Sequence, residues 1–359
     1  MAIGTFKYET FAAEVEQKVA VMTWRPGQPL PSIRRLMSSN RISLATVVKG
    51  LNLLEKRGVV NRHQGRGYFI ADRRRPHPGV GQIAFVTASL ERDTNHYLKG
   101  FAGALDVNRF ALATYASHGE LKNFQALVDQ VVRTRPSGII LQSVPKDILD
   151  FDATALTDAD IPVVVMGPAM KGLSCNRVFG LGREHGKKIV RYLLGRGRQD
   201  YAMLTMNALD DPDCVLAGVR PELQAAGIEL TDDRIFACKC LHGFATPTDP
   251  YIDAYQAMKR VLAEGVRFKT LICCHDYTAV GALRAIREAG LRVPEDIAVA
   301  SGICCGVEGA TPMKLTTVDH HRQEQARIAT ELLLRRIDGD DAPSEVHYVN
   351  GDVIPGQTA

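Results

Sequence analysis

Basic and hydrogen-bonding side chains are concentrated in the first seventy residues, at spacings that suit contact with a polyanion. Arg34 and Arg35 follow a Pro-Ser pair, and Lys49 lies six residues after Ser43. The segment 62–67 places two arginines and a glutamine around two closely spaced glycines. Arginine and lysine neutralise phosphates, and arginine and glutamine also hydrogen-bond base edges in the major groove. These residue types therefore predict nucleic-acid binding.

The distribution of charge along the chain supports the same interpretation. Residues 1–75 contain fourteen Lys and Arg against five Asp and Glu, a net charge of about +9. The rest of the chain contains 30 basic against 35 acidic residues, a net charge of about −5. A merely solvated surface needs no such segregation, whereas a domain that displaces counterions from phosphates does.

Two short helices are expected to position these cations. Pro31 and Ser32 suit the start of the first helix, because proline fixes φ and serine can cap the first turn. Ser43 is a plausible N-cap for the second helix, which Gly58 would end. The apolar residues of this second helix recur at spacings of four and three, which places them on one buried face. They are Val47, Leu51 and Leu54.

A two-stranded ribbon is predicted after the helices, with Val59 and Val60 pairing with residues 68–70 across the loop 63–67. Two helices and a basic-tipped ribbon make a winged helix-turn-helix, whose second helix enters the major groove of DNA. We predict this domain over residues 1–71. The candidate DNA-binding residues are Ser32, Arg34, Arg35, Ser43, Leu44, Ala45, Thr46, Lys49, Arg62, Gln64, Gly65, Arg66 and Gly67.

This segment resembles the GntR family of bacterial winged-helix repressors. The motifs that carry the resemblance are Gly27, Leu30-Pro31-Ser32-Ile33-Arg34, Ser43-Leu44-Ala45-Thr46-Val47, Leu54-Glu55-Lys56-Arg57-Gly58 and Gly65-Arg66-Gly67. The chain departs from the family pattern at Ile33, where a Glu is usual, and at Leu44, where the family has an Arg that reaches DNA. Without that arginine, contacts must shift to other side chains, so the resemblance does not predict the operator sequence.

A large second domain is expected over residues 81–359, after a linker at 72–80 that is rich in Arg, Pro and Gly. Short β-rich runs alternate here with amphipathic helical stretches, which predicts βαβ units around parallel sheets. The predicted strands are 83–86, 138–141, 163–166, 270–273 and 297–299. The predicted helices include 124–132, 185–194, 254–262 and 278–289, and His320 and His321 are expected to start a last long helix.

The last third of the chain resembles the effector domain of the LacI/GalR repressors. The matching motifs are His275-Asp276, Ala279-Val280-Gly281-Ala282, Gly290-Leu291-Arg292-Val293-Pro294-Glu295-Asp296-Ile297 and Pro312-Met313-Lys314-Leu315-Thr316-Thr317-Val318. The resemblance implies two α/β lobes of the periplasmic-binding-protein type, hinged around a ligand cleft, and a homodimer on a pseudo-palindromic operator. A GntR-type head on such a body is similar to the arabinose-repressor branch of the family.

The resemblance also implies positions for ligand contacts, and this chain differs at all three. The slots that hold Arg, Asn and Asp in sugar-binding members are occupied by Val215, His275 and Ile303. We therefore expect either a differently oriented sugar or sugar derivative, or a ligand that is not a simple sugar. The candidate effector-binding residues are Asp93, Asn95, His96, Asp213, His242, His275 and Asp276.

Cysteine usage leaves a second hypothesis open, a metal- or thiol-responsive regulator. All eight cysteines lie in the second domain, some beside His242 and His275 at expected strand ends. However, Cys238-Lys239-Cys240-Leu241-His242 is not a standard zinc spacing, and adjacent cysteines on a strand point to opposite faces. Structural, buried cysteine in a reducing cytosol is the simpler alternative, and no metal site or cofactor is predicted.

An enzyme is not expected, because the chain has no Walker A run, no G-x-S-x-G and no convincing G-x-G-x-x-G after a strand. Residues 6–22 read as a charged amphipathic helix and not as a signal peptide or membrane span. The expected protein is a cytoplasmic, nucleoid-associated regulator that does not bind membranes. Its expected partners are an operator of double-stranded DNA, a small effector and a second copy of itself.

Overall fold

A computed structural model of the chain describes residues 7–20, 24, 27–56, 59–63, 67–71, 80–88, 90, 94–117, 121–142, 151–206, 213–238, 249–307 and 311–359. The chain divides into two compact units, Met1–Gly81 and Gln82–Ala359. The first unit is called the head below, and the second is called the body. None of the described helices combines the length and apolar composition that spanning a bilayer requires.

The head contains three helices and a two-stranded ribbon. These elements are α1 (Lys7–Ala20), α2 (Ile33–Asn40), α3 (Leu44–Lys56), β1 (Val60–His63) and β2 (Gly67–Ile70). Ser32 caps α2, since its hydroxyl accepts the Arg35 N–H at 3.4 Å. The ribbon is antiparallel and runs from the pair Val60 and Ile70 to the pair His63 and Gly67. The predicted helix-turn-helix and ribbon are therefore confirmed in the described residues.

The core of the head forms where α3 packs against α1 and the ribbon. Val47, Leu51 and Leu54 are fully buried, as the predicted apolar face of this helix requires. Phe11 of α1 and Ile70 of β2 complete the same cluster. Burial of each large aliphatic side chain stabilises the fold by about 1.5–3 kcal/mol, so the orientation of α3 is firmly fixed.

The body contains twelve strands and eight α-helices in its described residues, which alternate along most of the chain. In chain order they are β3 (Gly81–Thr87), α4 (Thr94–Ala104), β4 (Phe110–Ala116), α5 (Leu121–Arg133), β5 (Gly138–Gln142), α6 (Thr154–Asp158), β6 (Val163–Met166), β7 (Asn176–Phe179), α7 (Gly182–Gly195), β8 (Tyr201–Met206), α8 (Val215–Ala225), β9 (Ile235–Cys238), α9 (Pro250–Ala263), β10 (Thr270–Cys273), α10 (Asp276–Glu288), β11 (Ala298–Ser301), β12 (Thr317–Asp319), α11 (Arg322–Ile337), β13 (Val346–Tyr348) and β14 (Asp352–Ile354).

The first lobe of the body is built on a six-stranded sheet in the order β13-β7-β6-β5-β3-β4. The pairs from β13 to β3 are parallel. Helix α11 comes from the far end of the chain, yet it belongs to this lobe, because Leu332 and Leu333 are buried with Ile83, Phe85 and Ile140. The lobe is therefore completed only by late segments of the sequence.

The second lobe is built on a four-stranded parallel sheet in the order β11-β10-β8-β9. A short antiparallel pair, β12 with β14, joins Thr317–Asp319 to Asp352–Ile354. The chain passes between the two lobes three times, after β7, after β12 and after β13. Parallel sheets in two lobes linked by crossovers match the predicted periplasmic-binding-protein-like fold.

The predicted strand at 297–299 starts one residue early and ends two residues early, since β11 spans Ala298–Ser301. The reason is local, because the Ile297 N–H donates to the Arg292 carbonyl in the preceding turn and not to a strand. The last long helix starts at Arg322, with His321 as its N-cap in the left-handed region, close to the predicted start.

Candidate functional site

The head presents two candidate surfaces for DNA, the first of which is the exposed side of α3. Ser43 caps this helix, because its hydroxyl accepts the Thr46 N–H at 3.2 Å and lies 2.8 Å from the Thr46 hydroxyl. Leu44, Ala45 and Lys49 are exposed, and Thr46 is half-buried. Since the opposite side of the helix is buried, these residues are the ones that α3 offers to a partner.

The second surface carries cations on α2 and on the ribbon. Ser32, Arg34 and Arg35 are exposed at the start of α2, and neither α2 nor α3 has an acidic residue in its first turn. Arg62 on β1 and Gly67 on β2 are exposed as well. The predicted tip residues of the ribbon lie outside the described residues. They are Gln64, Gly65 and Arg66.

The body contains a cavity of about 160 Å³ between its two lobes, at the carboxyl ends of the parallel strands. Parallel α/β sheets place ligand sites at this edge, because the strand ends and helix N-termini meet there. Both lobes contribute to the wall. The lining residues are Pro168, Phe179, Gly180, Gly182, Thr205, Met206, Asp213, Cys214, Val215, Cys274, Ile303 and His320.

Close packing of α7 against α8 positions one side of this cavity. A Cβ atom added to Gly186 would lie 2.9 Å from the Val219 nitrogen and closer still to the Val215 carbonyl oxygen. A Cβ atom on Gly218 would likewise collide with the Arg183 carbonyl oxygen. Because glycine alone permits this approach, the first turn of α8 is brought to the cavity, and Val215 lines it.

The polar groups of the cavity are few. The Asp213 carboxylate lies 3.9 Å from the Arg183 guanidinium, and both side chains are about two-fifths exposed. Thr205 is buried, and its hydroxyl donates to the Met206 carbonyl at 3.4 Å. The remaining wall is largely apolar. A ligand would therefore meet a few directional groups set in a hydrophobic surface, as is usual for small-molecule sites.

A pair of histidines forms the edge of the cavity next to the crossover strands. His320 lines the cavity, and its Nδ1 lies 3.3 Å from Nδ1 of His185, which is fully buried. Burial, with Lys188 and Arg322 nearby, lowers the pKa of His185 to about 4. His185 is therefore neutral at neutral pH, so the two rings do not both carry a positive charge. In the contact between the rings, one Nδ1 donates a hydrogen bond and the other accepts it.

The sequence-predicted effector residues are not all gathered at this cavity. Asp213 borders it, whereas Asn95 and His96 lie on α4 and are not part of its wall. Asp93 and His242 lie outside the described residues.

His275 and Asp276 are buried at the start of α10 and do not line the cavity. The Asp276 carboxylate accepts the Cys305 N–H at 3.0 Å and the Thr317 hydroxyl at 2.7 Å. Burial raises the pKa of Asp276, although these hydrogen bonds act in the opposite direction. In this structure Asp276 joins α10 to the crossover strand β12, which is a structural position.

Two of the three slots implied by the family resemblance do border the cavity, and both are apolar, namely Val215 and Ile303. At the third slot it is Cys274, the neighbour of His275, that faces the cavity. Sequence reasoning missed Phe179 and Met206, which end strands β7 and β8. Neither strand was predicted, although the apolar run Tyr201–Met206 is a signal that could have indicated β8.

The described residues contain no group of three or more His, Cys, Asp or Glu side chains arranged to hold a metal ion. Cys238 and Cys273 are buried, and burial raises the pKa of Cys273 well above its usual value. Cys240 and His242 lie outside the described residues. The metal-responsive alternative thus gains no support from the part of the chain that the structure describes.

Comparison with known proteins assigns both domains. Residues 7–70 match "Bacterial regulatory proteins, gntR family", and residues 190–359 match "Periplasmic binding protein-like domain". The arabinose metabolism transcriptional repressor of Geobacillus stearothermophilus is 23% identical over 350 residues, covering 92% of this chain and 93% of the repressor. The HTH-type transcriptional repressor PurR of Erwinia tasmaniensis is 30% identical over 230 residues, and the match covers 62% of this chain and 62% of that repressor.

The solved structure of a transcriptional regulator CelR-cellobiose complex has a similar fold. It gives a TM-score of 0.63 at 19% identity and covers 89% of this chain and 92% of that chain. A winged helix-turn-helix head and a two-lobed ligand-binding body together define a DNA-binding transcriptional regulator. In the order of its domains, with a gntR-family match in the head before a periplasmic-binding-protein-like match in the body, the chain is similar to the arabinose metabolism repressor.

Proposed function

We propose that the chain is a repressor whose affinity for its operator changes when a small hydroxylated ligand, a sugar or sugar derivative, binds between the lobes of the body. The observation that carries this proposal is the cavity at the strand ends, which is walled by both lobes at once. A ligand in such a position contacts both lobes only when they are closed on it. It therefore binds one arrangement of the lobes better than another.

The chemistry of the wall favours a compact ligand with both apolar and hydroxyl surfaces. Phe179, Met206 and Val215 offer apolar contact, which suits the C–H faces of a sugar ring. Asp213 and His320 offer an acceptor and an imidazole at the same cavity. Charged acceptors bind hydroxyl groups about twice as strongly as neutral ones, which makes Asp213 the strongest candidate for orienting a ligand.

The relatives support the same class of ligand. One is named for arabinose metabolism, and another was solved with cellobiose. The apolar side chains of Val215 and Ile303 argue against a ligand held by charged or amide side chains at these two positions. We therefore place a less hydroxylated portion of the ligand against Val215 and Ile303, and its hydroxyl groups near Asp213.

Regulation would follow from the coupling of lobe closure to the spacing of two heads in a homodimer on a pseudo-palindromic operator. To move the equilibrium between two arrangements from 99:1 to 1:99, a ligand must bind one of them about 10⁴-fold better, which is about 5.5 kcal/mol. Two ligand sites in a dimer would each have to supply about half of this free energy.

A panel of sugars, sugar acids and deoxy sugars, screened by thermal unfolding of the full chain, tests the proposal. A true ligand at a hundred times its Kd stabilises the body by about 2.7 kcal/mol. The same compound should release the full chain from an operator fragment selected from random DNA.

Asp213→Asn is expected to lose most of the stabilisation by that compound. The matched control is Glu229→Gln, which removes an exposed carboxylate of the same lobe. Equal stabilisation of both variants would contradict the role of Asp213, and a panel without a single hit would contradict the ligand class.

A further inference from the structure

The first turn of α3 exposes apolar side chains, which is unusual for a helix expected to contact a polyanion. Leu44 is the first residue of this helix, and 53% of its side chain is exposed. Ala45 beside it is exposed as well. A single exposed leucine is common on protein surfaces and has no meaning by itself. The position of Leu44 gives its exposure a meaning, because the N-terminal residues of the second helix in this motif contact base edges.

The packing of the helix explains why Leu44 is left outside the core. Val47, Leu51 and Leu54 are fully buried and already fill the contact with the rest of the head. Leu44 precedes the first of them by three residues, so helical periodicity places it beside the buried face, and it is exposed because it is the first residue of the helix. The exposed residues Ala45, Lys49 and Asn52 follow at spacings of four and three and form the face opposite the core.

The polar groups of this first turn are occupied with each other. The Ser43 hydroxyl accepts the Thr46 N–H and lies 2.8 Å from the Thr46 hydroxyl. The other two exposed side chains of this turn, Leu44 and Ala45, are apolar. Leucine neither donates nor accepts a hydrogen bond, so it cannot distinguish bases by their hydrogen-bonding pattern.

The surroundings identify the occupant of this surface as duplex DNA and not a protein. Arg34 and Arg35 are exposed on α2, and Lys49 is exposed on α3 itself. No acidic residue stands in the first turn of either helix. A cationic surface with an apolar tip suits a groove that is lined by phosphates and contains one apolar group.

That apolar group is the C5-methyl of thymine, since every other distinguishing group in the major groove is a hydrogen-bond donor or acceptor. We propose that Leu44 packs on the 5-methyl group of a thymine in the operator half-site and so selects thymine there. This inference rests on the proposed binding of an operator by the head. It adds the identity of one base and the atom by which that base is read.

The test compares thymine with uracil, which pairs identically but lacks the methyl group. The full chain first selects its operator from a random duplex library. Each thymine of the half-site is then replaced by uracil in turn. Loss of one buried methyl corresponds to about a fourfold loss of affinity per half-site, at about 0.8 kcal/mol per methyl-sized group. We expect one thymine to show this effect with the wild-type chain.

Leu44→Ala should bind the thymine and uracil operators with nearly equal affinity, because the side chain that senses the methyl is gone. Asn52→Ala, on the exposed side of the same helix, is the matched control and should keep the fourfold preference. Since Leu44 is not part of the core, the urea midpoint of Leu44→Ala should match that of the wild type.

The possible results separate this inference from the function on which it rests. If the selection enriches no sequence, operator binding itself fails and the inference fails with it. If a sequence is enriched but uracil is tolerated at each thymine, operator binding stands and thymine reading by Leu44 is refuted. The same refutation follows if Leu44→Ala keeps the wild-type preference for thymine over uracil.

Discussion

Replacement of Gly186 by alanine should destabilise the body, because α7 and α8 touch through their backbones at this residue. The added Cβ would lie 2.9 Å from the Val219 nitrogen and closer to the Val215 carbonyl oxygen. Backbone atoms cannot rotate away, so the upper part of the usual overpacking cost of about 1–3 kcal/mol applies. The better helix propensity of alanine returns about 1 kcal/mol. The expected net loss is about 2 kcal/mol.

Gly195 in the same helix provides a matched control. A Cβ atom there meets no atom within 4 Å, and the residue is exposed. Gly195→Ala should therefore stabilise the body by roughly 0.4–1 kcal/mol, through the reduced entropy of the unfolded chain. In thermal unfolding, the loss of about 2 kcal/mol at Gly186 corresponds to a decrease in Tm of about 4–8 °C for a domain of this size.

Urea unfolding of both variants, monitored by circular dichroism, measures the difference directly. A lower midpoint with an unchanged m-value for Gly186→Ala indicates loss of native stability and not a changed unfolded state. If Gly186→Ala is as stable as Gly195→Ala, the two helices are not in backbone contact, and the account of how Val215 reaches the cavity is refuted. Because α8 begins at Val215, Gly186→Ala should also weaken ligand binding more than Gly195→Ala does.

Three further outcomes are expected. Leu51→Ala should destabilise the head by about 2–5 kcal/mol in urea unfolding and abolish DNA binding, whereas Asn52→Ala should change its stability by less than about 0.5 kcal/mol. The lowered pKa of His185 means that its contribution to stability is present above pH 6.5 and is lost as the pH falls through about 4. It should amount to about 3 kcal/mol, and His185→Phe should remove this part of the pH dependence between urea midpoints at pH 7 and pH 4.5. The double variant Arg34→Ala, Lys49→Ala should reduce the slope of log K against log salt by about 0.9 for each phosphate that the protein no longer neutralises; an unchanged slope would show that neither cation touches the DNA backbone.

Local patterns explain why the head could be predicted in detail. Ser43 and Thr46 are three residues apart, and Val47, Leu51 and Leu54 share a face by helical periodicity alone. Caps and amphipathic faces depend on neighbours in sequence, so the sequence contains the necessary information. Five strands of the body could be predicted for the same reason, as short apolar runs that match β3, β5, β6, β10 and β11, whereas the other seven described strands of the body were not predicted.

The cleft was harder to predict because its wall is assembled from distant parts of the chain. His185 and His320 are 135 residues apart, and no local pattern links them. An error of one residue in a predicted site position also matters at a strand end, because successive side chains of a strand point to opposite faces of the sheet. Here Cys274 lines the cavity, whereas its neighbour His275, the predicted contact residue, is buried as the N-cap of α10.

The late return of α11 and β13 to the first lobe affects how the protein is made. A ribosome delivers β3 to β7 first, but their sheet lacks its edge strand, and Ile83 and Ile140 lack the cover of Leu332 and Leu333, until nearly the whole chain has emerged. The four strands of the second lobe follow one another in the sequence, but this lobe also depends on the end of the chain, because Ala359 belongs to its core and the Val299 N–H donates to the Thr358 carbonyl at 2.7 Å. During synthesis neither lobe can therefore complete its packing before the last residues of the chain emerge, and the incomplete apolar surfaces of both lobes stay accessible to chaperones in the interval.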